Sequence, residues 1–302
     1  MEFTKIQGTG NDFIIIDNTK IGLSESKLSI LASRVCKRKY SIGADGFIAI
    51  EHSNSNADFR MNFYNSDGSM AEMCGNGARC VARYAYENKI AGDRMIIETV
   101  SGNIYAWRID KRTYKVKLNN PTLIYLENKI NIDDAEFDYS YIELGNPGLP
   151  HVVIRYKGLN NTDNCDILEL ARKIRANKRF IKGSNVSFYD IISASSINIE
   201  VGYLEGSVHR DHDIIDNSVV IRTYERGVEN FTLACGTAAG AAAAVISLKK
   251  ELPQNNIKLI SAGGELTVEI DKSDKNIIEN IYLIGDTNIV ATGKITDEDL
   301  RS

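Results

Sequence analysis

The chain has 302 residues, of which 43% are hydrophobic and 25% charged, a composition expected of a soluble globular protein with room for two modest domains. A formal net charge of −4 offers no basic footprint for nucleic acid or an anionic membrane. No apolar run approaches a membrane span, and the opening MEFTKIQGTGNDF lacks the basic-then-apolar layout of a secretory signal, so the expectation is a cytoplasmic protein that binds neither nucleic acid nor membrane.

In chain order, FTKIQ and FIIIDN read as strands around the turn-like Gly8-Thr9-Gly10-Asn11. A helix is expected from about Ser24, because Leu28, Leu31, Ala32, Val35 and Cys36 fall on one helical face. Strands follow at FIAIE and RMNFY, then a turn at Asn65-Ser66-Asp67-Gly68, and EMCGNGARCVARYAYEN reads as a loop entering a helix. RMIIETV, NIYAWRI and YKVKLN complete the first half as antiparallel strand candidates. In the second half HVVIRY is a strand, CDILELARKIRANK a helix, and NVSFYDI, INIEVGY and VVIRTY strands. LACGTAAGAAAAVISLKK is again a loop entering a helix, and KLISA, ELTVEI, IYLIG and IVATGKI are strands.

The order repeats. LASRVCKRKYSIGADGFIAI resembles LARKIRANKRFIKGSNVSFYDI: each is a helix ending in basic residues, then a glycine, then a strand. A duplicated unit predicts two similar α/β domains facing each other across a cleft. The expected division is 1–120, completed by the C-terminal strand 286–302, and 121–285, with Pro121 at the boundary.

The five cysteines are odd in number, widely scattered and never spaced C-x-x-C, which argues for free thiols and against a disulfide framework or a metal site. Two of them recur at one position of the repeat: Cys74-Gly75-Asn76-Gly77 and Cys235-Gly236-Thr237-Ala238. Each precedes an alanine-rich helix, whose positive end favours a thiolate. Its open backbone N–H groups also make a carboxylate site. Two such units would put two thiols on opposite sides of one bound carboxylate, the requirement for inverting an α-carbon: one thiolate removes a proton and the other thiol supplies one. No cofactor is implied. Cys36 and Cys80, on apolar helical faces, and Cys165, at a helix start, read as structural.

The stretches FTKIQGTGNDFIIID, NFYNSDGSMAEMCGNGARCVARY, GLPHVVI, GSNVSFYDI and IRTYERGVENFTLACGTAA together resemble diaminopimelate epimerases over nearly the whole chain. The resemblance implies an α/β fold of the α+β kind. Its two pseudo-symmetric domains are each a mixed, mostly antiparallel sheet wrapped around a central helix. It implies Cys74 and Cys235 as the acid/base pair, and backbone N–H groups of Gly75, Asn76, Gly236 and Thr237 holding the reacting carboxylate. Asn11, Asn65, Asn185, Glu225 and Arg226 match substrate-binding positions, with Arg226 on the distal carboxylate. On residue type alone, Asn11 and Asn65 are turn residues, Asn185 a strand-entry residue, and Glu225 with Arg226 a solvated pair. The implied reaction converts LL- to meso-diaminopimelate without a cofactor or metal, on a small amino-acid substrate, and leaves room for a homodimer.

Four departures from the family pattern bear on the distal end. Where the family often has Gly-Asn-Pro-His, this chain reads Gly148-Leu149-Pro150-His151, with Asn146-Pro147 just upstream. Ala238 replaces a usual glycine and Gln7 a frequent histidine, and Ile192 to Ser218 is long. Leu149 motivates an alternative on the same fold: a racemase of another amino acid such as histidine or lysine, or an epimerase of lanthionine. A thiol redox protein using the same cysteines is the remaining alternative.

Overall fold

The computed structural model describes residues 1–71, 74–192 and 218–296. The strand expected at INIEVGY and most of the long Ile192 to Ser218 stretch lie outside the described residues. The chain forms two compact units, Met1–Lys117 joined by the chain from Ile284, and Leu118–Leu283.

The first unit runs β1 (Glu2–Gly8), β2 (Asn11–Asp17), α1 (Asn18–Ile21), α2 (Glu25–Val35), β3 (Gly46–Glu51), β4 (Phe59–Asn65), β5 (Met70–Ala71), α3 (Gly75–Glu87), β6 (Arg94–Thr99), β7 (Gly102–Arg108) and β8 (Thr113–Leu118). The second runs β9 (Pro121–Ile132), β10 (Ala135–Leu144), β11 (Leu149–Arg155), α4 (Asn164–Arg175), β12 (Asn185–Ile192), β13 (Ser218–Glu225), β14 (Asn230–Thr232), α5 (Gly236–Leu248), β15 (Asn256–Ser261) and β16 (Gly264–Lys272). β17 (Ile278–Asp286) then leads the chain back to the first unit, which β18 (Asn288–Lys294) completes.

The two sheets match strand for strand. In the first, β18 pairs antiparallel with β1, β1 antiparallel with β2, β2 parallel with β3, β3 antiparallel with β4, β4 parallel with β6, and β6 antiparallel with β7. In the second, β9–β10, β10–β11, β11–β12, β12–β13, β13–β15 and β15–β16 follow the same sequence of senses. A parallel pair needs a crossover, and each one here has its helix: α2 and α3 in the first unit, α4 and α5 in the second. The mixed, mostly antiparallel sheet expected for each repeat is therefore present. One detail breaks simple duplication: β9, which follows β8 in sequence, belongs to the second sheet, and β18 belongs to the first.

Residue patterns explain these elements. In β2 the run Phe13-Ile14-Ile15-Ile16 is buried on both faces, as expected for a strand lying inside a sheet with a parallel neighbour. Leu28, Leu31, Ala32 and Val35 of α2 bury the stripe their spacing defines. Helix α5 is buried over almost its whole circumference and packs on β10, β11, β12 and β16. Its alanines are what let strands approach from several sides. Helix α3, packed on β1, β2 and β7, is equally buried from Gly75 to Ala85 yet carries Arg79 and Arg83 inside. Among the described residues no helix is long and apolar enough to cross a membrane.

The β9–β10 hairpin is not among the strands expected from the residue pattern. Glu127, Lys129, Asp133, Asp134, Glu136 and Asp138 make the stretch look like a linker, but they lie on an exposed face while Ile130, Ile132 and Tyr139 join the core. Gly46 sets a tight packing point at the start of β3, where an added Cβ would lie 2.5 Å from a ring carbon of Phe63 and 3.1 Å from the Tyr64 carbonyl oxygen. Gly46→Ala is expected to lower unfolding free energy by about 1–3 kcal/mol, read as a reduced urea midpoint at unchanged slope.

Candidate active site

Cys74 occupies the N-cap of α3 in an extended conformation, φ −135° and ψ 116°. That position is normally held by Ser, Thr, Asp or Asn, whose oxygen accepts an N–H of the first turn. Here the sulfur takes the role, accepting from the Gly77 N–H at 3.4 Å. The Asn11 side chain adds a second donor, Nδ2 to Sγ 3.8 Å. Asn11 reaches the sulfur because the β1–β2 connection is only Thr9-Gly10, both left-handed (φ 54° and 80°), the twist-matched geometry for a two-residue hairpin.

In the second unit Cys235 occupies the N-cap of α5 with nearly the same backbone, φ −122° and ψ 113°. Its sulfur has different company. It lies 3.5 Å from the Thr237 hydroxyl and hydrogen-bonds with the Glu225 carboxyl at the end of β13. Burial pushes the Glu225 carboxyl up from its ordinary range, and Thr232 and Cys235 offset this only in part. A small pocket lined by Ile221, Thr223, Ala234, Ala239 and Leu266 reaches Cys235. Both cysteines are half-buried and neither is in a disulfide.

Of the other expected residues, Gly75 and Asn76 form the first turn of α3, and Gly236 and Thr237 that of α5. Asn185 and Arg226 meet: the Arg226 N–H donates to Asn185 Oδ1 at 2.8 Å, and Arg226 Nη1 donates to the Lys182 carbonyl at 3.0 Å, leaving the guanidinium exposed. Glu225 and Arg226 are therefore no solvated pair. Asn65 stands apart, its amide bonded to Ser69 Oγ at 3.0 Å within the β4–β5 turn. Leu149 opens β11 half-buried, and Asn146 is exposed in the turn before it.

Two residues given no role by the sequence reading lie beside these groups. Arg79 is wholly buried, and its Nη2 donates to Thr9 Oγ1 and Asn76 Oδ1, both at 3.0 Å. His151, opposite Asn185 across the parallel β11–β12 pair, is also wholly buried with neither ring nitrogen partnered. Burial, helped by the Arg226 charge, pushes its pKa down to about 3. An arginine following the small residues of the helix's first turn, five positions after the capping cysteine, is the available signal for the first. A histidine inside an apolar strand was the signal for the second.

Comparison with known proteins identifies the family. The sequence profile of the family described as diaminopimelate epimerase matches residues 3–124 and 144–290, skipping most of the β9–β10 hairpin. The chain is 37% identical to the diaminopimelate epimerase of Hydrogenobaculum sp. (strain Y04AAS1), with 99% of each chain covered. It is 35% identical to that of Aquifex aeolicus (strain VF5), with all of each covered. Among solved structures, a PhzF-family phenazine biosynthesis protein from Bacillus anthracis superposes with a TM-score of 0.69 over 98% of both chains at 14% identity, a likeness of fold alone. The chain belongs to the diaminopimelate epimerase family and is an amino-acid epimerase.

Proposed function

We propose that the protein interconverts LL- and meso-diaminopimelate by two-base proton transfer, with Cys74 and Cys235 as the acid/base pair and no cofactor. The observation that carries the reading is that each matched repeat caps the same helix with a cysteine. Inversion requires a proton to leave one face of the α-carbon and another to arrive on the opposite face, so one thiol must start ionised and the other protonated. Cys74 accepts from two N–H donors, which favours its thiolate. Cys235, beside the Glu225 carboxyl, is the better resting thiol.

In this reading the N–H groups of Gly75, Asn76, Gly236 and Thr237 hold the carboxylate at the reacting centre and stabilise charge as the α-proton leaves. Asn11, Asn65, Asn185, Glu225 and Arg226 bind the rest of the substrate, with the exposed Arg226 guanidinium on the distal carboxylate. The reaction would serve lysine and peptidoglycan precursor synthesis in the cytoplasm.

The test is proton NMR of LL-diaminopimelate in deuterium oxide, beside a panel of histidine, lysine and lanthionine. Loss of the α-proton signal together with appearance of the meso isomer is expected for diaminopimelate. Wash-out from another panel member and none from diaminopimelate would move the substrate to that compound, the outcome Leu149 motivates. Arg226→Gln is expected to raise KM for diaminopimelate by roughly 10- to 100-fold through loss of a charge-assisted pair.

A further inference from the structure

Arg79 is 0% exposed and no acidic side chain pairs with it among the described residues, where its Nε and Nη1 are also without hydrogen-bond partners. An unpaired buried cation is costly to fold around, and a guanidinium does not escape the cost by losing its proton. Burial does act on it in that direction, lowering its pKa.

The two acceptors it does reach are informative. Thr9 is a β-branched residue at φ 54°, a conformation such residues avoid. Its hydroxyl is held by Arg79, so the guanidinium fixes the two-residue turn that places Asn11 beside the Cys74 sulfur. Because Arg79 only donates, the Asn76 amide must turn its oxygen to the guanidinium and keep its Nδ2 donors for another partner. Space for this is made by Gly8, where an added Cβ would lie 3.1 Å from Cys80 Sγ, 3.5 Å from the Asn76 carbonyl oxygen and 3.6 Å from Arg79 Nη2. Among the described residues, the titratable groups that bear most on Arg79 are Cys80 within its own helix, Cys74 at that helix's N-cap and Asp286 at the end of β17, and Cys80 is in turn within reach of Arg83 and Asp12.

We propose that Arg79 is a positioning residue for Cys74: its guanidinium locks the Thr9 turn and the Asn76 amide, and its standing positive charge beneath the first turn of α3 keeps the Cys74 sulfur ionised. Among the described residues, the group that answers the Arg79 charge is the Cys74 thiolate, or the substrate carboxylate once bound. The proposal deepens the reading of Cys74 as one of the two acid/base groups and rests on it.

The test is the pH dependence of Cys74 alkylation by iodoacetamide, followed by peptide mass spectrometry in the full-length protein, with Cys235 in the same sample as internal control. In Arg79→Met and Arg79→Gln the Cys74 midpoint is expected to rise and its rate at pH 7 to fall on the order of tenfold, the effect of removing one charge at short range in a partly screened interior. Cys235 is expected to keep its wild-type midpoint. Gln can still donate to Thr9 and Asn76, so it carries the test if the Met variant fails to fold. Thr9→Ala, which deletes an acceptor but leaves the charge, is expected to raise the Cys74 midpoint by clearly less than the neutral variants do, through loosening of the Asn11 donor alone.

Neutral variants with a wild-type Cys74 midpoint, or a Thr9→Ala shift equal to theirs, would overturn the assignment. Alkylation reads the Arg79 effect whether or not Cys74 is catalytic. Failure of the underlying reading would appear separately, as epimerisation surviving in Cys74→Ala.

Discussion

Replacing either Cys74 or Cys235 by alanine is expected to lower kcat for epimerisation by roughly 10³-fold or more, because each substitution removes one of the two groups that move the α-proton. The double variant should be little worse than either single one, since the two residues act as a unit and their losses do not add. The isotope pattern is more discriminating than the rate. In deuterium oxide a single variant retains one thiol, which can remove a proton from the face it serves and return deuterium to that same face. Exchange without inversion is therefore expected, at an L-configured centre for one variant and at a D-configured centre for the other. Chiral chromatography with mass detection reads both quantities. Full-rate epimerisation by either single variant would end the two-thiol mechanism.

Lowering the pH from 6.5 to 4.5 is expected to cost about 2–3 kcal/mol of folding stability through His151 alone, at about 1.4 kcal/mol per pH unit. The unfolded chain takes up this proton near the ordinary histidine value of 6.5, whereas burial holds the folded imidazole neutral down to about 3. Across that window the unfolded state binds more protons, so stability is complete above 6.5 and falls as the pH drops towards 3. Glu225 works in the opposite direction, because its raised pKa lets the folded state take up a proton more readily.

The His151 contribution is isolated by urea titrations of wild type and His151→Leu at pH 7.5 and pH 4.5. The wild type should lose more between the two pH values than the variant, by about the amount given above. Equal losses would show that His151 is protonated, or partnered, in the folded protein. Against a typical total of about 5–15 kcal/mol the effect is large enough to set the acid limit of the fold.

Much of this architecture could be read from residue patterns because the duplication shows in them. The helix of Leu28, Leu31, Ala32 and Val35, the alternating strands after it, and the two Cys-Gly helix entries each carry a local signal. The β9–β10 hairpin carried none strong enough: its exposed face is charged, and its two-residue turn, Asp133-Asp134, lacks the glycine that usually marks such connections.

At the candidate site, cysteine positions follow from helix-entry patterns, but what surrounds each sulfur does not. Nothing local to Cys235 announces that Glu225 arrives beside it from a strand end. Nothing in Thr9 announces a hydroxyl held by an arginine seventy residues later. Those contacts depend on which strands neighbour which helix, a tertiary property. Leu149 and Asn146 illustrate the converse: both are visible as departures, and the fold places the first half-buried at a strand start and the second in an exposed turn.

The exchange of β9 and β18 between the repeats limits how the chain can be divided. A fragment ending at Lys117 would keep β1 but lose β18, leaving the N–H and C=O groups of β1 that face β18 bare along an open sheet edge. Such an edge templates association with other chains. The halves are therefore not autonomous cassettes that could be expressed, shuffled or permuted at the repeat junction. The first sheet takes its closing strand from chain made after the whole second unit, so it is sealed only once translation has passed β18.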